Sequence, residues 1–441
     1  MSIDHRQVQS ALDIMGPGTH VDLSQERTGL LRYARSRVTA QHSEERLRVR
    51  VRLTEGGRTA LGTLETLEPT EVKALCDRLR SALALLPAHS DEPDASPRSA
   101  SGTDPVAPKV AAATLGAGPA DRHAWFSAVR DGLAGTAQLG GSIRHDVIHR
   151  VVADHSGLYR KETLTKASLQ AVAERDGRSS SVRLVHRDAA RIDPTDVARR
   201  LLDDLTDLPE RTPVRGTFRV LLRPQAVVTL LATYGYVALG AAGYAEGRTA
   251  VAGRMGSRVT SDLLTITDDG TDPAGLASGF DPEGTPRRLT RLVDNGVLTG
   301  VVSDLRRADV TGGSSTGHAV PAGWRFGADP SPSHLLLAGG ENTEEELAAV
   351  CGTGLVISRL DYLRILHPKD TLVTGTTRDA TYWIHDGEPV AWQPSVRLTF
   401  RMDEVLDTVL AVGSRRERGE AVFMESVVAP ALLVDAGPIS L

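Results

Sequence analysis

The stretch from Val214 to Trp324 constrains this chain most. An apolar strand (Phe218, Val220, Leu222) leads to Pro224, which suits the first turn of a helix. A long run of mostly small residues follows, QAVVTLLATYGYVALGAAGYAEGR at 225–248, and predicts one helix over that span. Strand-length apolar runs come next, separated by Asp268-Asp269-Gly270, by Asp281-Pro282-Glu283-Gly284-Thr285 and by Asp294-Asn295-Gly296. Turn chemistry of that kind between such runs predicts a β-meander.

This order of segments resembles the PmbA (TldE) branch of the TldD/PmbA family of metallopeptidases, also described as modulators of DNA gyrase. In the TldD branch the long helix carries a His-Glu-x-x-x-His motif, which offers two metal ligands and an acid/base carboxylate to one site. Placing this chain by Gly247, Gly253, Gly256 and Ser261 puts Ala232, Thr233 and Val237 at the motif positions. None of the three is a zinc ligand. TldD members also use a Cys near the C-terminus, and here no Cys follows Cys351. The helix has the family's position without its chemistry.

Two further segments carry the resemblance. SSTGHA (Ser314–Ala319) matches the PmbA branch most specifically, and GWRF (323–326) echoes a Trp-Arg pair that follows it there. Its glycines and small hydroxyls suit a loop that lets backbone approach a peptide. That makes Ser315, Thr316, Gly317 and His318 candidates for substrate contact, with His318 a weak candidate for acid/base work. The alternative is that His318 pins its own loop. LVTGTTRD (372–379) resembles actinobacterial-type relatives, and Thr376, Thr377 and Arg378 could line a peptide groove.

The remaining constellations read as structural. His145 and His149 are spaced as a metal pair would be on a helix, but Val147, Ile148, Val151 and Val152 favour a strand. On a strand the two stand about 13 Å apart, too far for one ion. Asp281 and Glu283 sit together, with Arg287 and Arg288 near enough to make a self-neutralising turn. No phosphate loop, nucleophile elbow or activated Cys is present.

With 441 residues, two domains are expected. The 51 basic and 56 acidic residues nearly balance, which argues against nucleic acid as a partner. Cys76 and Cys351 sit in apolar contexts and read as free core thiols. No apolar run reaches the roughly 20 residues of a spanning helix, so the expectation is a cytoplasmic chain away from membranes. Arg dominates Lys, in keeping with a high-GC bacterial source.

Taken in order, helix 6–15 precedes strands at 20–27 and 29–43 with a turn at Thr28-Gly29. Leu47, Val49, Val51 and Leu53 then alternate with Arg46, Arg48, Arg50 and Arg52, a strand with one wet face. A helix from Pro69 carries Val72, Leu75, Leu79 and Leu83 on one stripe. Ala88–Pro108 lacks large apolar residues and reads as a flexible insertion. A helix at 120–133, strands at 137–155 and 163–187 with a turn at Asp176-Gly177, and a helix capped by Asp193 complete the first half. Later signals are a capping box at Thr343/Glu346, a turn at Asp386-Gly387 and a helix from Met402 to Val412.

The fold expected is α+β. An N-terminal α+β domain (1–213) precedes a C-terminal β-rich domain (214–441) of curved antiparallel sheet. The resemblance implies a TldD–TldE heterodimer in which zinc and bond cleavage belong to the TldD-type partner. This chain, with no cofactor of its own, would shape the chamber that admits extended peptides. A stand-alone amide hydrolase and a regulator of DNA gyrase are the alternatives.

Overall fold

The computed structural model describes residues 3–88, 110–211, 216–273, 275–321, 329–421 and 424–435. The Ala88–Pro108 insertion beyond Ala88, the GWRF run and the junction at Pro213 lie outside them.

Period-two patterning in the first half builds one sheet from β1 (Thr19–Ala34), β2 (Arg37–Glu55), β3 (Arg58–Leu64), β4 (Gln138–Asp154), β5 (Tyr159–Arg175) and β6 (Arg178–His186). Its order is β3-β2-β1-β4-β5-β6, antiparallel throughout. The expected turn at Thr28-Gly29 is absent, and β1 runs straight through it to turn at Arg35-Ser36. Gly29 has another purpose: a Cβ there would lie 2.1 Å from the Arg122 guanidinium, which crosses the strand at that point.

Val21, Leu23 and Leu31 share one face of β1 and meet the helices. There α1 (His5–Met15) and α2 (Pro69–Leu83) bury Leu12, Met15, Val72 and Leu75. Beyond α3 (Ala112–Leu115), α4 (Pro119–Gly132) and α5 (Pro194–Asp203) bury Phe126, Val129 and Leu201 further along the sheet. Asp193 caps α5 by accepting from Thr195 N at 2.8 Å, as its sequence implies.

The second half forms a sheet of eleven strands, from β7 (Arg219–Leu222), β8 (Ile266–Asp269), β9 (Leu289–Asp294), β10 (Val297–Leu298) and β11 (His334–Leu337) to β12 (Gly354–His367), β13 (Leu372–His385), β14 (Glu388–Trp392), β15 (Arg397–Arg401), β16 (Val409–Gly419) and β17 (Ser426–Val434). The main path is β10-β9-β8-β11-β17-β7-β12-β13-β14, with β15 on β13 and β16 on β17. This sheet is mixed rather than antiparallel, because β7 pairs parallel with β12 and β11 with β17. Parallel pairing needs a long crossover. The chain between β7 and β12 contains the buried helix α6 (Pro224–Ala238), whose Leu230, Leu231 and Tyr234 form the centre of the core.

Two expected helices are shorter than their apolar spacing suggested. The 225–248 run breaks after α6 and resumes as α7 (Ala241–Ala245), because Val302 N donates to Leu239 O and Ala241 N donates to Val302 O. The capping box at Thr343 does start α8 (Glu344–Cys351). The 402–412 helix stops as α9 (Met402–Asp407), since Val409 and Val412 pair with Val434 and Leu432 of β17. Short apolar runs fit either period, and here the ladder prevails. The meander of 249–308 contains only the short strands β8, β9 and β10 among its described residues, with the Asn295-Gly296 turn where expected.

Candidate functional site

Helix α6 begins at Pro224 and is buried on nearly every side. Ala232, Thr233 and Val237 are all buried. Thr233 Oγ1 donates back to Thr229 O at 2.8 Å, so its one polar atom is spent inside the helix. This wall offers no ligand for zinc. Among the described residues no group of three or more His, Cys, Asp or Glu is placed to hold a metal ion. His145 and His149 both lie on β4 as expected, with His145 edge-on to Trp125 and His149 Nδ1 3.0 Å from Thr163 Oγ1.

The SSTGHA loop is bound from beneath. Gly317 has φ +79°, and a Cβ there would lie 2.8 Å from Pro286 O, so a side chain is excluded by conformation and by space. Its turn sends His318 inward, where the imidazole has no exposed surface. His318 Nε2 donates to Asp268 Oδ1 at 2.9 Å, and Nδ1 lies 2.9 Å from Thr316 Oγ1. Thr316 Oγ1 also receives Ser303 N at 2.6 Å, and Ser315 Oγ donates to Ser303 O at 3.3 Å. Asp268 takes two backbone donors besides, Ser333 N at 2.6 Å and His334 N at 2.8 Å. Burial opposes the Asp268 charge, but His318, Arg287 and these donors outweigh it and hold its pKa well below the usual carboxylate range. Carboxylate, imidazole and hydroxyl stand in relay order, with Asp268 and His318 sealed from solvent and Thr316 half-buried.

Beside this loop lies the Asp281/Glu283 turn, and its charge is met from the other sheet. Arg52 of β2 is 3.4 Å from Glu283 Oε1, while His20 Nε2 of β1 donates to Pro282 O at 2.6 Å. Arg150 of β4 donates to Phe280 O at 2.8 Å and pairs with Asp22 at 3.0 Å. The arginine row expected to be a solvated face is therefore half covered, with Arg50 on Asp22 and Arg52 on this turn. Within the turn Arg287 acts on the Asp281 charge while also pairing with Glu425 at 3.4 Å, so the turn meets part of its own charge. Asp281 is satisfied by the amides of Glu283, Thr285 and Ala319. Burial, then the Asp281 charge, pushes the Glu283 pKa up. Burial, then Arg52, lowers His20 to about 4, so its imidazole is neutral near pH 7.

Thr376, Thr377 and Arg378 lie on β13, with four strands between β13 and β8, which bears Asp268. The two candidate segments therefore do not share one site. Thr377 is buried and accepts from Val396 N at 3.1 Å, while Arg378 is exposed and pairs with Asp361 at 2.9 Å rather than with Asp379. Asp379 is engaged by Arg359 at 2.7 Å.

An accessible concavity lies elsewhere among the described residues. Beyond Val237 the α6 wall opens on a cleft of about 750 Å³, lined among others by Tyr236, Val237, Thr249, Ser331, Ile365 and Lys369. That volume is in the range of ligand sites. Sequence reasoning missed it because three separated segments assemble it. The one available signal was the spacing of Gly240 and Gly243, where a Cβ would meet Pro330 O at 2.5 Å and Thr249 Cγ2 at 2.7 Å, so that these segments pack closely at the cleft.

The PmbA/TldA metallopeptidase C-terminal domain matches residues 215–440. An uncharacterized protein of Methanocaldococcus jannaschii is 28% identical over 210 residues, 47% of this chain and 50% of that protein. A metalloprotease of Methanothermobacter thermautotrophicus is 26% identical over 271 residues, 57% of each chain. The chain thus spans about half the length of these relatives. The crystal structure of TldE from Thermococcus kodakarensis has the same fold, with a TM-score of 0.82 at 16% identity, covering 99% of this chain and 100% of that one. With its whole second half matched by that domain, the chain belongs to the TldD/PmbA metallopeptidase family.

Proposed function

We propose that this chain is the metal-less, TldE-type subunit of a two-subunit TldD–TldE metallopeptidase. In this reading the TldD-type partner holds zinc and cleaves the amide bond, and the present chain shapes the chamber that admits extended or unfolded peptides. One observation carries it: the buried helix α6 holds Ala232, Thr233 and Val237 at the positions that the sequence resemblance matches to the ligand motif of the TldD branch. Family membership and the likeness of fold to TldE support it. Residues 1–213 and 214–441 then serve as two domains, the first bracing the second through the Glu283 turn. Of the residues suggested for peptide contact, Thr316, Thr376 and Arg378 keep accessible surface, while Ser315, Gly317, His318 and Thr377 act from beneath.

The relay of Asp268, His318 and Thr316 is the observation that favours a stand-alone hydrolase. Its burial counts against that reading, since a general base must reach the proton it removes. The test is co-expression with a TldD-type subunit, followed by size-exclusion chromatography and metal analysis of each peak. A stable pair with stoichiometric zinc, and this chain alone without zinc, is the expected result. Tight stoichiometric zinc on this chain alone, or failure to pair, contradicts the proposal.

A further inference from the structure

Among the described residues four clusters of buried apolar side chains form the cores, and each draws on one half of the chain alone. Two lie wholly before Pro209 and two wholly after it. The contacts between the halves are largely polar. Lys166 reaches Glu420 and Arg200 reaches Glu417, each at 2.6 Å, and Ser179 Oγ donates to Asp379 Oδ1 at 2.9 Å. Arg223 of the second half pairs back with Asp204 at 2.7 Å. Glu162 accepts from Gly279 N at 2.8 Å, beside the His20, Arg52 and Arg150 contacts of the Glu283 turn. Leu158 does approach Gly284, where a Cβ would lie 2.7 Å from its Cδ2, but it belongs to none of the four clusters. Between α5, α8 and β16 the halves enclose a cleft of about 470 Å³, with Arg199, Asp203, Glu345 and Arg415 among its walls.

The connection between the halves changes sides over one peptide bond. Arg175 and Arg178 of the first sheet hold it through the carbonyls of Leu205, Thr206 and Leu208. From Pro209 onward the second sheet holds it, with Trp392 N donating to Pro209 O at 2.8 Å and Arg211 N to Trp392 O at 2.9 Å. Leu208 is half-buried, and Pro209 and Glu210 are exposed. Bodies that meet through a polar junction move relative to one another unless a large apolar interface prevents it, and a few loop residues absorb such a motion. We infer that the two halves are separate rigid bodies that pivot at Leu208-Pro209, latched shut by the Lys166–Glu420, Arg200–Glu417 and Arg52–Glu283 ion pairs. Pro209 fixes its own φ, so the swing falls on Leu208 and on ψ of Pro209. Opening lifts the polar face of β1, β2 and β4 from the Glu283 turn and widens the cleft between α5 and α8. Neither set of cores is breached, and pairs with part of their surface in water are weak and screened by salt. The device goes beyond the subunit assignment and operates with or without a second subunit.

The test is double electron–electron resonance on the full chain. Nitroxide labels sit on Arg78→Cys in α2 and Val350→Cys in α8, both exposed, with Cys76→Ala and Cys351→Ala removing the native thiols. At low salt one narrow distance is expected. In about 1 M NaCl, where the screening length falls to about 3 Å, a second and longer distance should appear while the far-UV circular dichroism stays unchanged. Lys166→Ala combined with Arg200→Ala should raise the open-to-closed ratio about tenfold at low salt, the worth of two weak pairs. Pro209→Gly should broaden the longer distance by freeing the fixed torsion. The salt series on the unaltered latch stands even where the double variant folds poorly. Three outcomes overturn the inference. One is a single distance at every salt concentration. Another is a longer distance that arises only with loss of circular dichroism, because the halves would then be unfolding rather than parting. The third is a longer distance indifferent to Pro209→Gly, which removes the pivot from Leu208-Pro209.

Discussion

Replacing His318 by alanine would leave the buried Asp268 carboxylate one hydrogen bond short. The expected cost is about 1–3 kcal/mol of stability, read as a lower urea midpoint. Any loss of peptide turnover by the pair should follow that loss of fold, and kcat per folded molecule should hold within about tenfold. A folded His318→Ala chain with a kcat drop of about 10²-fold or more, the scale of a missing general base, would return His318 to the chemistry. Gly317→Ala tests the same loop by its backbone. Its φ of +79° and the 2.8 Å approach to Pro286 O both oppose a Cβ, so a loss of at least about 1 kcal/mol is expected, again in urea. His318 was visible in the sequence as a residue in an unusual loop. Its partner Asp268 was not, because fifty residues separate them and an Asp-Asp-Gly run looks like any turn.

The polar face of β1, β2 and β4 against the Glu283 turn is expected to contribute to the acid and alkaline limbs of stability. The folded pKa of His20 lies at about 4, below its unfolded 6.5. Its contribution is therefore full above pH 6.5 and is lost as pH falls toward 4. The folded pKa of Glu283 is raised above its unfolded 4.5. Its contribution is full below that value and is lost as pH rises. Urea unfolding from pH 4 to 9 should show a flatter acid limb for His20→Gln and a flatter alkaline limb for Glu283→Gln. Unchanged limbs in both variants would show that these two side chains do not control the contact. The alternation of Arg48, Arg50 and Arg52 disclosed the strand and its faces, but not what covers them. Sequence period reports local geometry, whereas the acidic turn that meets Arg52 lies 231 residues away. Helices α2, α4 and α5 were legible for the opposite reason, since the apolar stripe and the N-terminal proline fall within one element, joined in α5 by the Asp193 cap. The breaks at Leu239 and Asp407 were illegible because distant segments impose them, Val302 at the first and β17 at the second.

At the scale of the whole molecule, the two halves of the chain are tied by Lys166 to Glu420 at 2.6 Å and Arg200 of α5 to Glu417 at 2.6 Å, as well as by the Glu283 turn. Partly buried pairs of this kind fix registry better than they add stability. The second sheet was expected to be antiparallel, and its parallel pairs follow from carrying α6 in a crossover that sequence patterning could not place. That crossover puts the helix, stripped of ligand chemistry, beside the cleft. In the proposed reading the chain orients a peptide and leaves the activation of water to the partner's zinc. The most direct measurement is cleavage of an unfolded protein by this chain alone, by a TldD-type subunit alone and by the co-purified pair. The account predicts turnover by the pair that vanishes when the partner's zinc is removed by chelation, and none by this chain alone. Full turnover by this chain alone, unaffected by chelator, would contradict it.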